Sequence, residues 1–212
     1  FVDHKAQTPG YIKIIGCGNK ASITGDYDCG GLVGGIYSSR EMKLTIDNSY
    51  NMGDITANSR SSALCGFGKS GATITSCWNS GEVNVKTPDA GMLFARGDNA
   101  ANITVQNCYN LDSDLGQTGV TAFTAAEAKN GVLCLGLNGH SNDASVGLPW
   151  AQDIASGAEY PSYVGYSNDK NAIYTSREIK NNCGTVVLPY TVQSDDFIQY
   201  YVLGDVTDNT VN

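Results

Sequence analysis

Apolar residues in the first half of this chain fall in short runs broken by Gly, Asn, Asp or Ser, and no helix-length period lies between them. The runs recur. Ile46-Asp47-Asn48-Ser49-Tyr50-Asn51-Met52-Gly53-Asp54-Ile55 aligns without a gap with Ile74-Thr75-Ser76-Cys77-Trp78-Asn79-Ser80-Gly81-Glu82-Val83. Val105-Gln106-Asn107-Cys108-Tyr109-Asn110 repeats the first six positions, and residues 14–23 supply an earlier copy. The shared asparagines 19, 51, 79 and 110 are 32, 28 and 31 residues apart. A second block, Gly31-Leu32-Val33-Gly34, Ala63-Leu64-Cys65-Gly66 and Gly91-Met92-Leu93-Phe94, keeps the same 32 and 28 intervals.

In the second repeat the β-type segments lie at roughly 42–47, 53–57 and 62–67. Three short strands per ~30 residues in constant phase predict one turn of a parallel β-helix, each strand stacking ~4.8 Å above its counterpart. An antiparallel β-sandwich with accidental similarity is the competing reading. The expectation is an all-β chain: a short right-handed parallel β-helix over residues 1–115, a helix-containing cap over 116–165 and a small β-rich tail or linker over 166–212.

The motif Gly30-Gly31-Leu32-Val33-Gly34, followed by Asn48-Ser49-Tyr50-Asn51-x-Gly53-x-Ile55, resembles the GLUG-type repeat of secreted and surface proteins of gut and mucosal bacteria. The resemblance covers residues 14–114. It implies a right-handed β-helix of adhesin-like proteins and of accessory regions of some surface peptidases, and hence an extracellular or cell-surface location. The third copy departs from it, since Ala90-Gly91-Met92-Leu93-Phe94 lacks the second glycine pair, and the fourth loses the final Gly-x-Val.

Thr124-Ala125-Ala126-Glu127 is a capping box and predicts a helix over 124–137, with Phe123, Val132 and Leu135 on one side and stops at Gly136 and Asn138-Gly139. Pro149-Trp150, Gln152 and Tyr160-Pro161 follow. The succession is similar to a segment that closes such repeat regions in surface proteins of the same bacteria. The last turn of a solenoid exposes unpaired strand edges and needs an atypical cover. Beyond it, strand-like stretches at 185–188 and 197–203 flank the turn former Ser194-Asp195-Asp196. The end, from Gly204 to Asn212, resembles the opening of a dockerin-type calcium loop, but is one residue short and has Thr207 at a ligand position. Asp205 and Asn209 fall short of the six or more oxygens calcium takes, so no metal is assigned.

Composition narrows the function classes. Only 16% of residues are charged and 25 are glycine, which excludes a coiled coil or long helical bundle. A net charge of −8 without a basic stripe argues against nucleic acid, and no apolar run reaches the ~18–20 residues of a membrane span. Phe1 at the start reads as a fragment or processed form. Seven cysteines, an odd number with no CxxC and no Cys/His grouping, make a zinc site improbable.

Columns of equivalent residues hold the candidate chemistry. Cys17, Ser49, Cys77 and Cys108 should stack inward as small core residues. The asparagines should form a ladder at a turn. Tyr50, Trp78 and Tyr109, with Gly18 in the first copy, should then point outward as an aromatic strip able to stack on sugars or anchor a protein. The alternatives are mutual stacking that stabilises the solenoid, or a strip covered by a loop.

An enzyme needs converging titratable groups. Asp54 and Glu82 sit at equivalent positions, at a separation suited to a glycosidase pair, but Arg40, Arg60 and Arg96 fall at three different repeat positions. His4 and His140 lie at the chain's edge and in the cap loop, and no GxSxG, HExxH or P-loop occurs. The sequence therefore predicts a non-catalytic, adhesin-like module. It would carry no cofactor and bind a host or microbial glycan or surface protein through Tyr50, Trp78 and Tyr109. A polysaccharide-degrading β-helix enzyme and a pure spacer are the rivals.

Overall fold

A computed structural model describes residues 10–37, 42–86, 93–139, 148–154, 156–165 and 173–174. The first repeat contributes β1 (Gly10–Ile15), β2 (Gly18–Asn19), β3 (Ile23–Gly30) and β4 (Val33–Ile36), and the second β5 (Met42–Asp47), β6 (Tyr50–Asn51), β7 (Ile55–Ser62) and β8 (Cys65–Gly68). The third supplies β9 (Ala72–Thr75), β10 (Trp78–Asn79) and β11 (Val83–Val85), and the fourth β12 (Ile103–Gln106) and β13 (Cys108–Leu111), with β14 (Val120–Phe123) after it.

Strands at the same position of successive repeats pair in parallel. The sheets run β1-β5-β9-β12, β2-β6-β10-β13-β14, β3-β7-β11 and β4-β8, and a single bridge from Cys65 to Ala95 extends the last. Register follows the sequence alignment: Ile14 lies beside Ile46, Ile46 beside Ile74 and Ile74 beside Val105. The protein is thus mostly β, built from parallel sheets.

The repeats differ from the three-segment expectation in two ways. The dipeptide at 50–51 is itself a strand, and the segments expected at 53–57 and 62–67 run instead as 55–62 and 65–68. The cause is where the backbone bends. Asp28 and Arg60 take left-handed φ values of 56° and 51°, so β3 and β7 turn a corner while keeping their pairing. A second corner recurs in every repeat, at Gly16, Asn48, Ser76 and Asn107, all with φ between 47° and 63°. It separates the first strand of each repeat from the short second one, and Asn is among the few residues with a side chain that tolerate the conformation well.

One apolar core draws mainly on the first, second and fourth sheets, while Cys29, Ile55 and Ala57 of β3 and β7 form a separate small cluster with Ile23. Leu44, Ile46, Ile74 and Val105 point inward from the first sheet, Cys77 and Cys108 from the second, and Ile36, Leu64 and Cys65 from β4 and β8, while Val83 packs on from β11. Burying each Leu or Ile contributes ~1.5–3 kcal/mol. The outward partners Lys13, Lys43, Thr73 and Thr104 are exposed.

The predicted capping box is present: Thr124 Oγ1 accepts from the Glu127 N–H and Glu127 reaches back to the Thr124 N–H. The expected single helix is two, α1 (Ala125–Lys129) and α2 (Val132–Leu137), because Gly131 has a φ of 89° and breaks the run. Beyond them, β15 (Trp150–Asp153) pairs antiparallel with β16 (Ser162–Tyr163) and parallel with β17 (Ile173–Tyr174). The expected tail strands at 185–188 and 197–203 and the truncated calcium loop lie outside the described residues. Among the described residues no helix is long and apolar enough to cross a membrane.

Candidate functional site

The asparagine ladder forms and is fully occupied. Asn19 Nδ2 donates to Asn51 Oδ1 at 2.8 Å, Asn51 to Asn79 at 2.7 Å and Asn79 to Asn110 at 2.7 Å. Each Nδ2 also donates to the carbonyl two residues on, Ala21, Gly53 and Gly81 respectively, at 2.7 Å. At the far end Asn110 turns to Leu111 O and Ser113 O. Asn51 and Asn79 are buried, so these amides bind the repeats together. The turn they brace is tight. A Cβ on Gly53 would lie 2.0 Å from Ala21 O, and one on Gly81 would lie 2.1 Å from Gly53 O.

The cysteine column also points as expected. Ser49 Oγ, Cys77 Sγ and Cys108 Sγ each donate to the carbonyl two residues before them, so serine and cysteine are interchangeable here. Ser49, Cys77 and Cys108 are buried, whereas Cys17 in the first repeat is exposed. Burial first, and then the neighbouring Cys108, push the Cys77 thiol well above its ordinary range, which keeps it protonated. The six described cysteines are all free thiols.

The aromatic column departs from expectation. Tyr50, Trp78 and Tyr109 do share one register position, but they do not form an exposed strip. Trp78 is 1% and Tyr109 9% exposed, and Tyr50 is half-buried. Tyr50 stacks on one face of Trp78 at 4.8 Å and 7°, and Tyr160 stacks on Trp78 at 4.9 Å and 3°. Tyr109 instead lies against Gly136, where a Cβ would come within 2.5 Å of its hydroxyl, and that hydroxyl donates to Asn107 Oδ1 at 3.2 Å. In-out alternation places the rings on the face turned away from the main core, but that face looks into a second core, which includes Phe123, Leu133, Leu137 and Trp150, instead of solvent.

The covering residues fall within 116–165, the stretch expected to close the last repeat. They pack along the side of the repeats rather than only at the last of them. The Tyr163 ring leaves no room for a Cβ on Gly16 of the first repeat. Trp150 Nε1 donates to Asn48 Oδ1 of the second at 3.0 Å, Tyr160 covers Trp78 of the third, and Asn107 Nδ2 of the fourth donates to Leu137 O at 3.1 Å. Asn138 fixes the Trp150 backbone from both sides, donating to its carbonyl and accepting from its N–H, and Gln152 donates to Ala128 O and Ala158 O. Sequence reasoning singled out Trp150, Gln152 and Tyr160 as cap residues but missed Asn48 and Asn138. Asn48 stands in the column of Gly16, Ser76 and Asn107, and only tertiary contact distinguishes it.

Asp54 and Glu82 are exposed neighbours. Asp54 Oδ1 accepts the Glu82 backbone N–H at 3.0 Å, and Asn84 donates to Glu82 Oε2 at 3.3 Å. Arg60 pairs with Asp28, remote in register from these acids, while Arg40, His4 and His140 lie outside the described residues. Among the described residues no three His, Cys, Asp or Glu side chains group as metal ligands. No protein-family model, curated protein or solved structure matches the chain.

Proposed function

We propose that the chain is a short right-handed parallel β-helix with a lateral cover, acting as a non-catalytic module of a secreted or surface protein that offers a rigid sheet face to a glycan. The solenoid reading is supported by four parallel sheets in a single register around interior apolar clusters. Crossovers between parallel strands are right-handed in nearly every case, which supports the hand. The GLUG-type resemblance supports an adhesin-like role outside the cell.

The observation that carries the functional reading is how the columns are used. The buried asparagines bond one another, and the aromatic rings bond the cover. Both candidate columns are spent on cohesion, which leaves the outward sheet faces as the surface for a partner. The Asp54 carboxylate, the best candidate for acid–base chemistry, is engaged in holding the next repeat's backbone.

The test is an array of glycans and matrix proteins probed with the full chain, with polysaccharide breakdown assayed in parallel. Saturable glycan binding without shortening of the polymer is the expected result. Chain shortening would replace this reading with the enzymatic one, and no binding to any target would leave a spacer.

A further inference from the structure

Among the described cysteines, one pair shares a register position on neighbouring strands. Trp78 lies beside Tyr109 and Asn79 beside Asn110, which sets Cys77, just before β10, beside Cys108 at the start of β13. The Tyr109 N–H donates to Cys77 O at 2.9 Å and holds the third and fourth repeats together at this point. No other strand cysteine has a cysteine neighbour in register. Cys17 precedes Gly18 as Ser49 precedes its partner Tyr50, Cys29 lies beside Ser61, and Cys65 stands between Val33 and Ala95. Cys134 belongs to α2. Cys77 and Cys108 are both 0% exposed in the same core, and the Cys108 thiol lies within hydrogen-bond reach of Cys77.

The geometry allows the two sulfurs to join. Strands stacked ~4.8 Å apart fall inside the ~4.4–6.8 Å between Cα atoms that a disulfide spans. Turning the sulfurs toward each other also leaves no carbonyl unpaired. Cys77 Sγ donates to Thr75 O at 3.2 Å and Cys108 Sγ to Gln106 O at 3.3 Å. Each of those carbonyls keeps a backbone donor, the Asn48 N–H at 3.0 Å and the Ser76 N–H at 3.1 Å. The Ser49 N–H, which donates to Cys77 Sγ at 3.4 Å, retains a sulfur as acceptor.

We propose that Cys77 and Cys108 form a disulfide in an oxidising environment, tying the third repeat covalently to the fourth. The structure holds the reduced pair. One cysteine, having lost its proton to solvent, attacks a small-molecule disulfide such as oxidised glutathione and releases one glutathione thiolate. The thiolate of the other cysteine then attacks the protein sulfur of that mixed disulfide and releases the second glutathione. Two protein thiols are thus oxidised to one disulfide while one glutathione disulfide is reduced to two thiols. Burial keeps the Cys77 thiol protonated in the closed fold, so exchange proceeds while the repeats assemble or open. The finished bond is shielded from reductants by the same burial. The inference goes beyond the reading of the chain as a glycan-contacting module, and its failure leaves that reading standing.

The test refolds the full chain from urea in a glutathione redox buffer, traps free thiols with iodoacetamide and maps tryptic peptides by mass spectrometry. Cleavage after Lys69, Lys86, Arg96 and Lys129 places Cys77 alone in peptide 70–86 and Cys108 alone in peptide 97–129. The expected product is these two peptides joined, two hydrogens lighter than their sum and separated by reduction. The joined chain should keep the circular dichroism of the reduced one and unfold at a urea midpoint about 0.5–1 M higher. Cys108→Ser should fold, since Ser49 already fills this column, and should yield no link from Cys77. Native circular dichroism with Cys77 and Cys108 both alkylated overturns the proposal. A link from either residue to another cysteine, or a joined chain with a lower midpoint, overturns it equally. Should refolding fail, native chain incubated with oxidised glutathione in sub-denaturing urea decides, and free thiols at 77 and 108 there overturn the proposal.

Discussion

Removing one middle member of the asparagine ladder should cost far more than removing its end member. Asn79→Ala deletes three hydrogen bonds at once: its donations to Gly81 O and Asn110 Oδ1 and its acceptance from Asn51 Nδ2. Asn79 is 1% exposed, so water cannot replace it without opening the turn. A typical bond is worth ~0.5–1.5 kcal/mol net, and a buried group left unpaired costs ~1–3 kcal/mol. Some relaxation around the small cavity lowers the sum, which gives a loss of about 3–5 kcal/mol. Asn19→Ala also removes three, its donations to Ala21 O and Asn51 Oδ1 and its acceptance from the Ala21 N–H, but Asn19 is only partly buried at the first repeat and solvent can reach the groups it leaves, so about 1 kcal/mol or less is expected. The assay is urea unfolding followed by circular dichroism and tryptophan fluorescence, where the Asn79 variant should lower the midpoint by ~1–2 M. Equal losses for the two variants, or a loss below ~1 kcal/mol for Asn79→Ala, would refute the ladder as the element binding the repeats.

Further consequences can be measured on the same protein. Gly53→Ala would put a methyl 2.0 Å from the Ala21 carbonyl and should lower the urea midpoint sharply, whereas Ala21→Gly, where the first repeat already carries a Cβ, should change it little. Tyr160→Ala should uncover Trp78, shifting its fluorescence to the red and making it accessible to iodide, at a cost of ~2–4 kcal/mol in stability. Burial pushes the Cys65 and Cys134 thiols from the ordinary thiol range up to about 12. A raised acid pKa means the unfolded chain loses these protons first. Stability from these groups is therefore complete below pH ~9 and falls as pH rises from 9 toward 12, which unfolding at stepped pH would show. In native protein a thiol reagent at pH 8 should label Cys17, the one exposed thiol among the described cysteines, ahead of all the buried ones.

Much of the architecture was legible in the sequence because a repeat converts spacing into register. Intervals of 32, 28 and 31 residues between asparagines 19, 51, 79 and 110 became side-by-side pairs without a shift. The capping box at Thr124 and Glu127 was equally local and equally readable. Orientation was not. Alternation correctly sent Cys77 and Asn79 inward and Trp78 to the opposite face, but a strand of two residues cannot say what lies beyond that face. The cover arrives from described residues such as Leu137, Trp150, Tyr160 and Tyr163, and its contacts, such as Trp150 to Asn48, join positions 102 apart. A capping function suggested the end of the stack, whereas the rings of Tyr160 and Tyr163 meet flat or glycine-lined places along its side. The strand bends at Asp28 and Arg60 were hidden for another reason: Asp adopts a left-handed φ more readily than most residues but is common in other conformations, and Arg gives no such signal.

The most direct test of the stacked-repeat account is a nuclear Overhauser experiment on isotopically labelled full chain, reading contacts of the asparagine side-chain amides. Cross-peaks linking Asn51 to Asn79 and Asn79 to Asn110, together with parallel backbone contacts between Ile46 and Ile74, are the predicted result. Side-chain amides of Asn51 and Asn79 that show no mutual contact, or antiparallel contacts around Ile46 and Ile74, would contradict it.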